Sequence, residues 1–190
     1  TTLDGKAVFA IMGTDHSKVK VDGTDPLAAA YQYTMNLNSS FTGDDNLYVR
    51  LRAGNGSGNF TTKTFGTYLS MGTGYADALK VDKIWYTFPV GESNTVWVGP
   101  KIENYYMHAT TPSIYKPVTK QFTLGGNGAA YGASTKTGAG WAYNADNGFA
   151  ISSNVVSGNN GLLTDAQTTS WATQVGICLL YTSDAADDGV

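Results

Sequence analysis

Residues 31–38 read Tyr-Gln-Tyr-Thr-Met-Asn-Leu-Asn. Every odd position is apolar or aromatic, and every even one carries an amide or a hydroxyl. Successive side chains of a β-strand point to opposite faces, so this segment makes a strand with one greasy face and one wet face. The next stretch repeats the pattern, with Leu47, Val49, Leu51 and Ala53 alternating with Tyr48, Arg50 and Arg52. Between them Thr42-Gly43-Asp44-Asp45 supplies turn residues for a tight hairpin.

The same rhythm predicts six further strands, near Leu3–Met12, Leu79–Phe88, Thr95–Ile102, Thr137–Tyr143, Phe149–Val156 and Thr168–Val175. Pro89-Val90-Gly91-Glu92 reads as a tight turn, because proline donates nothing to a ladder and glycine accepts positive φ. Asn147-Gly148 closes another hairpin. Short connections thus fall at 42–45, 89–94 and 144–148, and long ones at 13–27, 54–78, 103–136 and 157–167. Short turns on one side and long loops on the other are the plan of an antiparallel up-and-down transmembrane β-barrel. About eight strands are visible, roughly half of a typical 16–18-stranded porin barrel.

Composition agrees with that plan. Charged residues make up 14%, against the ~25% usual in soluble domains. Glycine and tyrosine are abundant, at 23 and 12 residues. A barrel needs little surface charge because lipid covers one face of each strand. The mean hydropathy of −0.20 and the lack of a run of ~18 apolar residues exclude a transmembrane helix. The formal net charge of −3 speaks against nucleic acid as a partner.

Two hairpin segments carry a resemblance. Phe41–Asn55 and Val81–Gly91, followed by Val98-Gly99-Pro100-Lys101 and Phe122–Gly126, resemble the major outer-membrane porins of cyanobacteria. Those belong with the carbohydrate-selective porins, and some members are described as iron-uptake porins. The resemblance spans about Leu3 to Val175. It implies an outer-membrane location in a Gram-negative-type cell, contact with outer-membrane lipid, and passive diffusion of small hydrophilic solutes such as sugars, inorganic ions and iron. It also implies an assembly of three copies for the full-length protein. Neither a cofactor nor a catalytic step belongs to that picture. The alternative from another class is a secreted β-sandwich that binds carbohydrate through tyrosine and tryptophan.

Cys178–Asp187 matches the translation of a transposase-based library adapter, residue for residue. The expectation is therefore a partial porin domain over residues 1–177 and an adapter-derived tail over 178–190, with Cys178 and the acidic end outside the natural protein.

Candidate site residues follow from the plan. Arg50, Arg52 and Lys83 fall on the wet face, where water in a lumen tolerates charges that would cost ~2–4 kcal/mol each at mid-membrane on the lipid side. They are the expected pore-lining cations. The connection 103–136 is the longest and is the expected constriction loop. Lys101 and Glu103 stand where it begins, and Tyr105, Tyr106 and Tyr115 offer flat faces with hydroxyl tips. A narrow pore selects by size and by lining charge. His16 and His108 are the only histidines, too few for a histidine metal site. No Gly-x-Ser-x-Gly elbow or phosphate loop is present. Asp15, Asp22 and Asp25 fit no calcium-ligand spacing.

Overall fold

A computed structural model describes residues 1–12, 28–56, 76–110, 118, 135–158, 163–164 and 168–177. Eight strands are present: β1 (Thr2–Met12), β2 (Ala28–Ser39), β3 (Asn46–Gly54), β4 (Lys80–Val90), β5 (Asn94–Glu103), β6 (Thr135–Asn144), β7 (Phe149–Ser157) and β8 (Thr169–Ile177). They form one antiparallel up-and-down sheet in the order β1-β2-β3-β4-β5-β6-β7-β8. The order is linear, with β1 and β8 at its two ends. The expected eight strands and their order are present, but the sheet is not closed into a barrel. The expected adapter segment and Tyr115 lie outside the described residues, as do His16, Asp15, Asp22 and Asp25.

Contacts divide the chain into two units. The first holds β1, β2, β3 and the start of β4. The second holds the remainder of β4, β5 to β8 and the turn Ser40–Asn46.

In the first unit, facing residues fix the faces, because directly opposed residues of an antiparallel pair share one. Lys6 opposes Thr34, and Val8 opposes Gln32. Thr34 opposes Arg52, and Asn36 opposes Arg50. One face therefore carries Asp4, Lys6, Gln32, Thr34, Asn36, Arg50 and Arg52. Leu3, Phe9, Tyr31, Tyr33, Met35, Leu37, Val49 and Leu51 share the other. This is the phase the period-two pattern predicts.

Burial is then the reverse of a soluble protein's. On the polar face, Gln32 is 1% exposed and Arg52 8%, whereas Leu3, Phe9 and Ile11 on the apolar face are 62%, 81% and 79% exposed. The second unit repeats the inversion. Gly140 opposes Asn154 and Ala142 opposes Ser152, while Ser152 opposes Gln174 and Ala150 opposes Gly176. That face is small and polar, and Ala142, Ser152 and Asn154 on it are buried. Its reverse carries Val98, Trp141, Trp171, Val175 and Ile177, all exposed.

Turns follow their residue chemistry. Gly43 and Gly91 sit at φ +107° and +67°, which glycine adopts without a Cβ penalty. The predicted Pro89 turn is displaced: β4 runs through Pro89 to Val90 and the turn is Gly91–Ser93. Proline is tolerated close to a strand's end, so glycine, not proline, sets this corner. β5 carries a register irregularity between Gly99 and Ile102, where Pro100 has no N–H for the ladder.

Candidate functional site: a charged basin and a strap

The first candidate lies on the polar face of the first unit. A line of polar contacts crosses its strands. Asn36 donates from Nδ2 to Asp4 Oδ1 at 2.6 Å, and Tyr48 donates its hydroxyl to Asn36 Oδ1 at 2.7 Å. Arg50 Nε donates to Asp82 Oδ2 at 2.6 Å, and Arg52 stands 3.5 Å from the same oxygen. Both arginines therefore converge on one carboxylate, which offsets half of their charge. The expected patch is thus less positive than three free cations would make it. Lys83 directly follows Asp82 and is among the most deeply buried side chains.

A cavity of about 220 Å³ opens beside this line, walled by Lys6 and Val8 of β1, Gln32, Thr34 and Asn36 of β2, and Tyr48 and Arg50 of β3. Lys6 and Asp82 were missed in the sequence. The signal for Lys6 was present: it occupies the polar phase of a strand whose other phase is Leu3, Gly5, Ala7 and Phe9. Asp82 carried no such signal, since its contact depends on where β4 meets the arginines.

The second candidate belongs to the second unit. After β5 the chain makes a single-turn 3-10 helix, Asn104–Met107, and continues over the small polar face of β6 to β8. We call residues 103–110 the strap. Met107 is fully buried, and it packs where a Cβ on Gly140 would stand only 2.8 Å from its Cβ and Sδ. Glycine at 140 is thus what permits this close approach. Farther along, Thr110 donates through its amide and hydroxyl to Gln174 Oε1, both at 3.2 Å, and Gln174 Nε2 donates to the Thr110 carbonyl at 2.9 Å. Glu103, the last residue of β5, accepts from Thr135 Oγ1 at 3.0 Å.

Tyr105 and Tyr106 stack at 4.7 Å between ring centroids, and Tyr106 lies 5.2 Å from Trp85. Burial, reinforced by the negative charge of Glu103, pushes the Tyr105 hydroxyl well above the ordinary phenol range. Burial also holds the His108 imidazole below its ordinary value. Lys101 is exposed near the end of β5. The structure therefore brings Glu103, Tyr105 and Tyr106 together on the strap with Trp85. Beneath the strap, Ser152 Oγ and both polar atoms of Asn154 are buried with no hydrogen-bond partner among the described residues.

The turn Ser40–Asp45 is locked separately. Asp45 Oδ1 accepts from Ser40 Oγ, the Phe41 and Thr42 amides and Thr42 Oγ1, at 2.6–2.9 Å, and Tyr86 donates its hydroxyl to Oδ2. The Ser40 hydroxyl first, then those of Tyr86 and the Thr42 amide, hold this carboxyl far below the usual carboxylate range.

No group of three metal-ligating side chains occurs among the described residues. Comparison with protein-family models, with curated proteins and with solved structures finds no match to the chain.

Proposed function

We propose that this chain is part of an outer-membrane porin, a water-filled β-barrel through which small hydrophilic solutes such as sugars and inorganic ions diffuse passively. The observation that carries the reading is an inversion of burial: Gln32, Thr34, Arg52, Ser152 and Asn154, on the polar faces, are buried, while Leu3, Phe9, Ile11, Trp171, Val175 and Ile177, on the apolar faces, are exposed. A water-soluble β-sandwich buries its apolar face against a second sheet. A transmembrane barrel turns that face to lipid and its polar face to the lumen.

Polar atoms on the exposed face support the same reading. Trp171 Nε1 donates to Ser153 Oγ at 2.8 Å, Ser153 pairs with Thr173 Oγ1 at 3.1 Å, and Trp141 Nε1 donates to Asn94 Oδ1 at 2.9 Å. A face turned to lipid must satisfy its polar groups internally, because no water is there to do so. In this reading the strap narrows the lumen, as the long connection after Ile102 predicts, and Arg50, Arg52, Lys6 and Asp82 set the charge that a passing ion meets. Among the described strands, β1 and β8 are the two edges of the sheet. Closure of the proposed barrel therefore takes further strands, these eight being about half of a typical 16–18-stranded porin barrel.

The discriminating experiment is refolding from urea, with and without detergent micelles, followed by circular dichroism. β-structure that appears only with micelles supports the barrel. Cooperative refolding in plain buffer supports the sandwich and overturns the proposal.

A further inference from the structure

Two asparagines among the described residues precede a glycine, Asn55 and Asn147. Such a pair can react with itself. The glycine amide nitrogen attacks the asparagine Cγ, ammonia leaves, and a five-membered succinimide forms. Water then opens the ring to aspartate or isoaspartate. Glycine presents no Cβ to crowd that approach. How the fold holds each side chain decides which of the two reacts.

Asn55 is held away from the reaction. Its Oδ1 accepts from the Tyr31 amide at 2.8 Å, and its own amide donates to the Tyr31 carbonyl at 3.4 Å. The side chain thus reaches across to β2, and Gly56 behind it is buried. Ring closure there needs both bonds to open and a buried glycine to turn.

Asn147 is exposed in the turn between β6 and β7. Its Oδ1 accepts from the Phe149 amide at 3.1 Å. The side chain therefore folds back over Gly148, as asparagine does when it bonds its own backbone two residues on. That brings the electrophilic Cγ beside the next amide. The Phe149 N–H also faces the oxygen on which negative charge builds as nitrogen adds to Cγ, as an oxyanion donor does. The Gly148 amide donates to the Ala145 carbonyl at 3.1 Å. That bond must open before the nitrogen attacks, and one local bond in an exposed turn opens more readily than a pair across the sheet.

We propose that Asn147 is a site of spontaneous deamidation in the folded protein, with water as the co-reactant, and that the fold protects Asn55. Aspartate at 147 adds negative charge beside Asp146. Isoaspartate routes the main chain through Cβ, which lengthens the turn closed by the bond from the Ala145 amide to the Phe149 carbonyl. The inference does not depend on the channel reading.

The test is incubation of the full chain, its fold established by circular dichroism, in mildly alkaline buffer made with heavy-oxygen water. Chymotryptic digestion and mass spectrometry then follow each site, with the same chain unfolded in urea as the reference. Unfolded, both sites should convert at similar rates. Folded, Asn147 should convert about tenfold faster than Asn55, the worth of about one more hydrogen bond to open. Isoaspartate should appear together with aspartate, each carrying heavy oxygen. Conversion at Asn55 as fast as at Asn147 in the folded chain overturns the proposal. So does an unchanged Asn147 in the folded chain over the time that the unfolded reference takes to convert. Aspartate without isoaspartate overturns it as well, because direct hydrolysis, with no ring, gives aspartate alone.

Discussion

Gly140→Ala is a one-carbon change that should release the strap. The added Cβ would lie 2.8 Å from both Met107 Cβ and Sδ, and 2.9 Å from Asn154 Cβ. Met107 Cβ is not the far end of a flexible side chain, so rotation of the thioether cannot relieve the clash. The ladder beneath is continuous, with eight opposed pairs from Thr137–Ser157 to Asn144–Ala150, whereas the strap's far end is held by the Thr110–Gln174 bonds. The strap should yield first. Overpacking of this kind costs ~1–3 kcal/mol, so we take about 2 kcal/mol as the shift, which at ~1.4 kcal/mol per decade is about 30-fold in the open–closed equilibrium. Ser152→Cys, in a Cys178→Ser background, reports opening, because Ser152 is fully buried and its ladder partner is the strap-holding Gln174. Labelling by a water-soluble thiol reagent should accelerate about 30-fold in the Gly140→Ala chain. Ala139→Val, on the opposite face, should leave the rate unchanged. An unaltered rate in a folded Gly140→Ala protein, or equal acceleration in the control, would mean that the space above Gly140 does not hold the strap in place.

Three further outcomes follow from the geometry. Replacing Arg50 and Arg52 together by serine exchanges two positive charges and one negative for the lone negative charge of Asp82, so reversal potentials across a salt gradient should move toward cation preference, and Asp82→Asn should move them toward anions. Because the Asp45 carboxyl is held below its ordinary value, its contribution to stability is full above about pH 4 and is lost as the pH falls through the lower folded value. Asp45→Asn should therefore be less stable at pH 7 and show a flatter decline below pH 4 in urea titrations. The folded His108 resists protonation, so strap closure should weaken as the pH falls below about 6.5, the value the imidazole regains when exposed. Because the thiolate is the reacting species, labelling at Ser152→Cys is divided at each pH by that of an exposed cysteine in the same chain; this ratio should be higher at pH 5 than at pH 8, and His108→Gln should abolish most of that difference.

Period two made all eight strands legible, and in β2 and β3 it gave the phase as well. Met35 opposes Leu51 and Asn36 opposes Arg50, because a half-polar strand leaves only one way to sort its faces. Boundaries were less legible where proline is involved: Pro89 stays within β4 since the corner is set by Gly91. The partnership of Arg50 and Arg52 with Asp82 could not be read, because it depends on which residue of β4 meets β3 across the long connection 55–79. The strap was foreseen as a long connection, but its seat was not. The pattern Gly138, Gly140, Ala142 and Ala150 did mark a face too small to fill space alone, and Met107 supplies the missing volume. The resemblance rests on the two hairpin motifs, with no family match beside them.

In the proposed channel the polar face meets water and the apolar face meets lipid. A single-cysteine scan along β2, from Tyr31 to Leu37 in the Cys178→Ser chain reconstituted in lipid bilayers, tests it most directly, with a polarity-sensitive thiol dye and two quenchers, one dissolved in water and one attached to lipid tails. Positions 31, 33, 35 and 37 should be quenched from the lipid, and 32, 34 and 36 from the water, in strict alternation. Uniform quenching from the water along the strand, or alternation with the faces exchanged, would mean that the apolar face does not meet lipid.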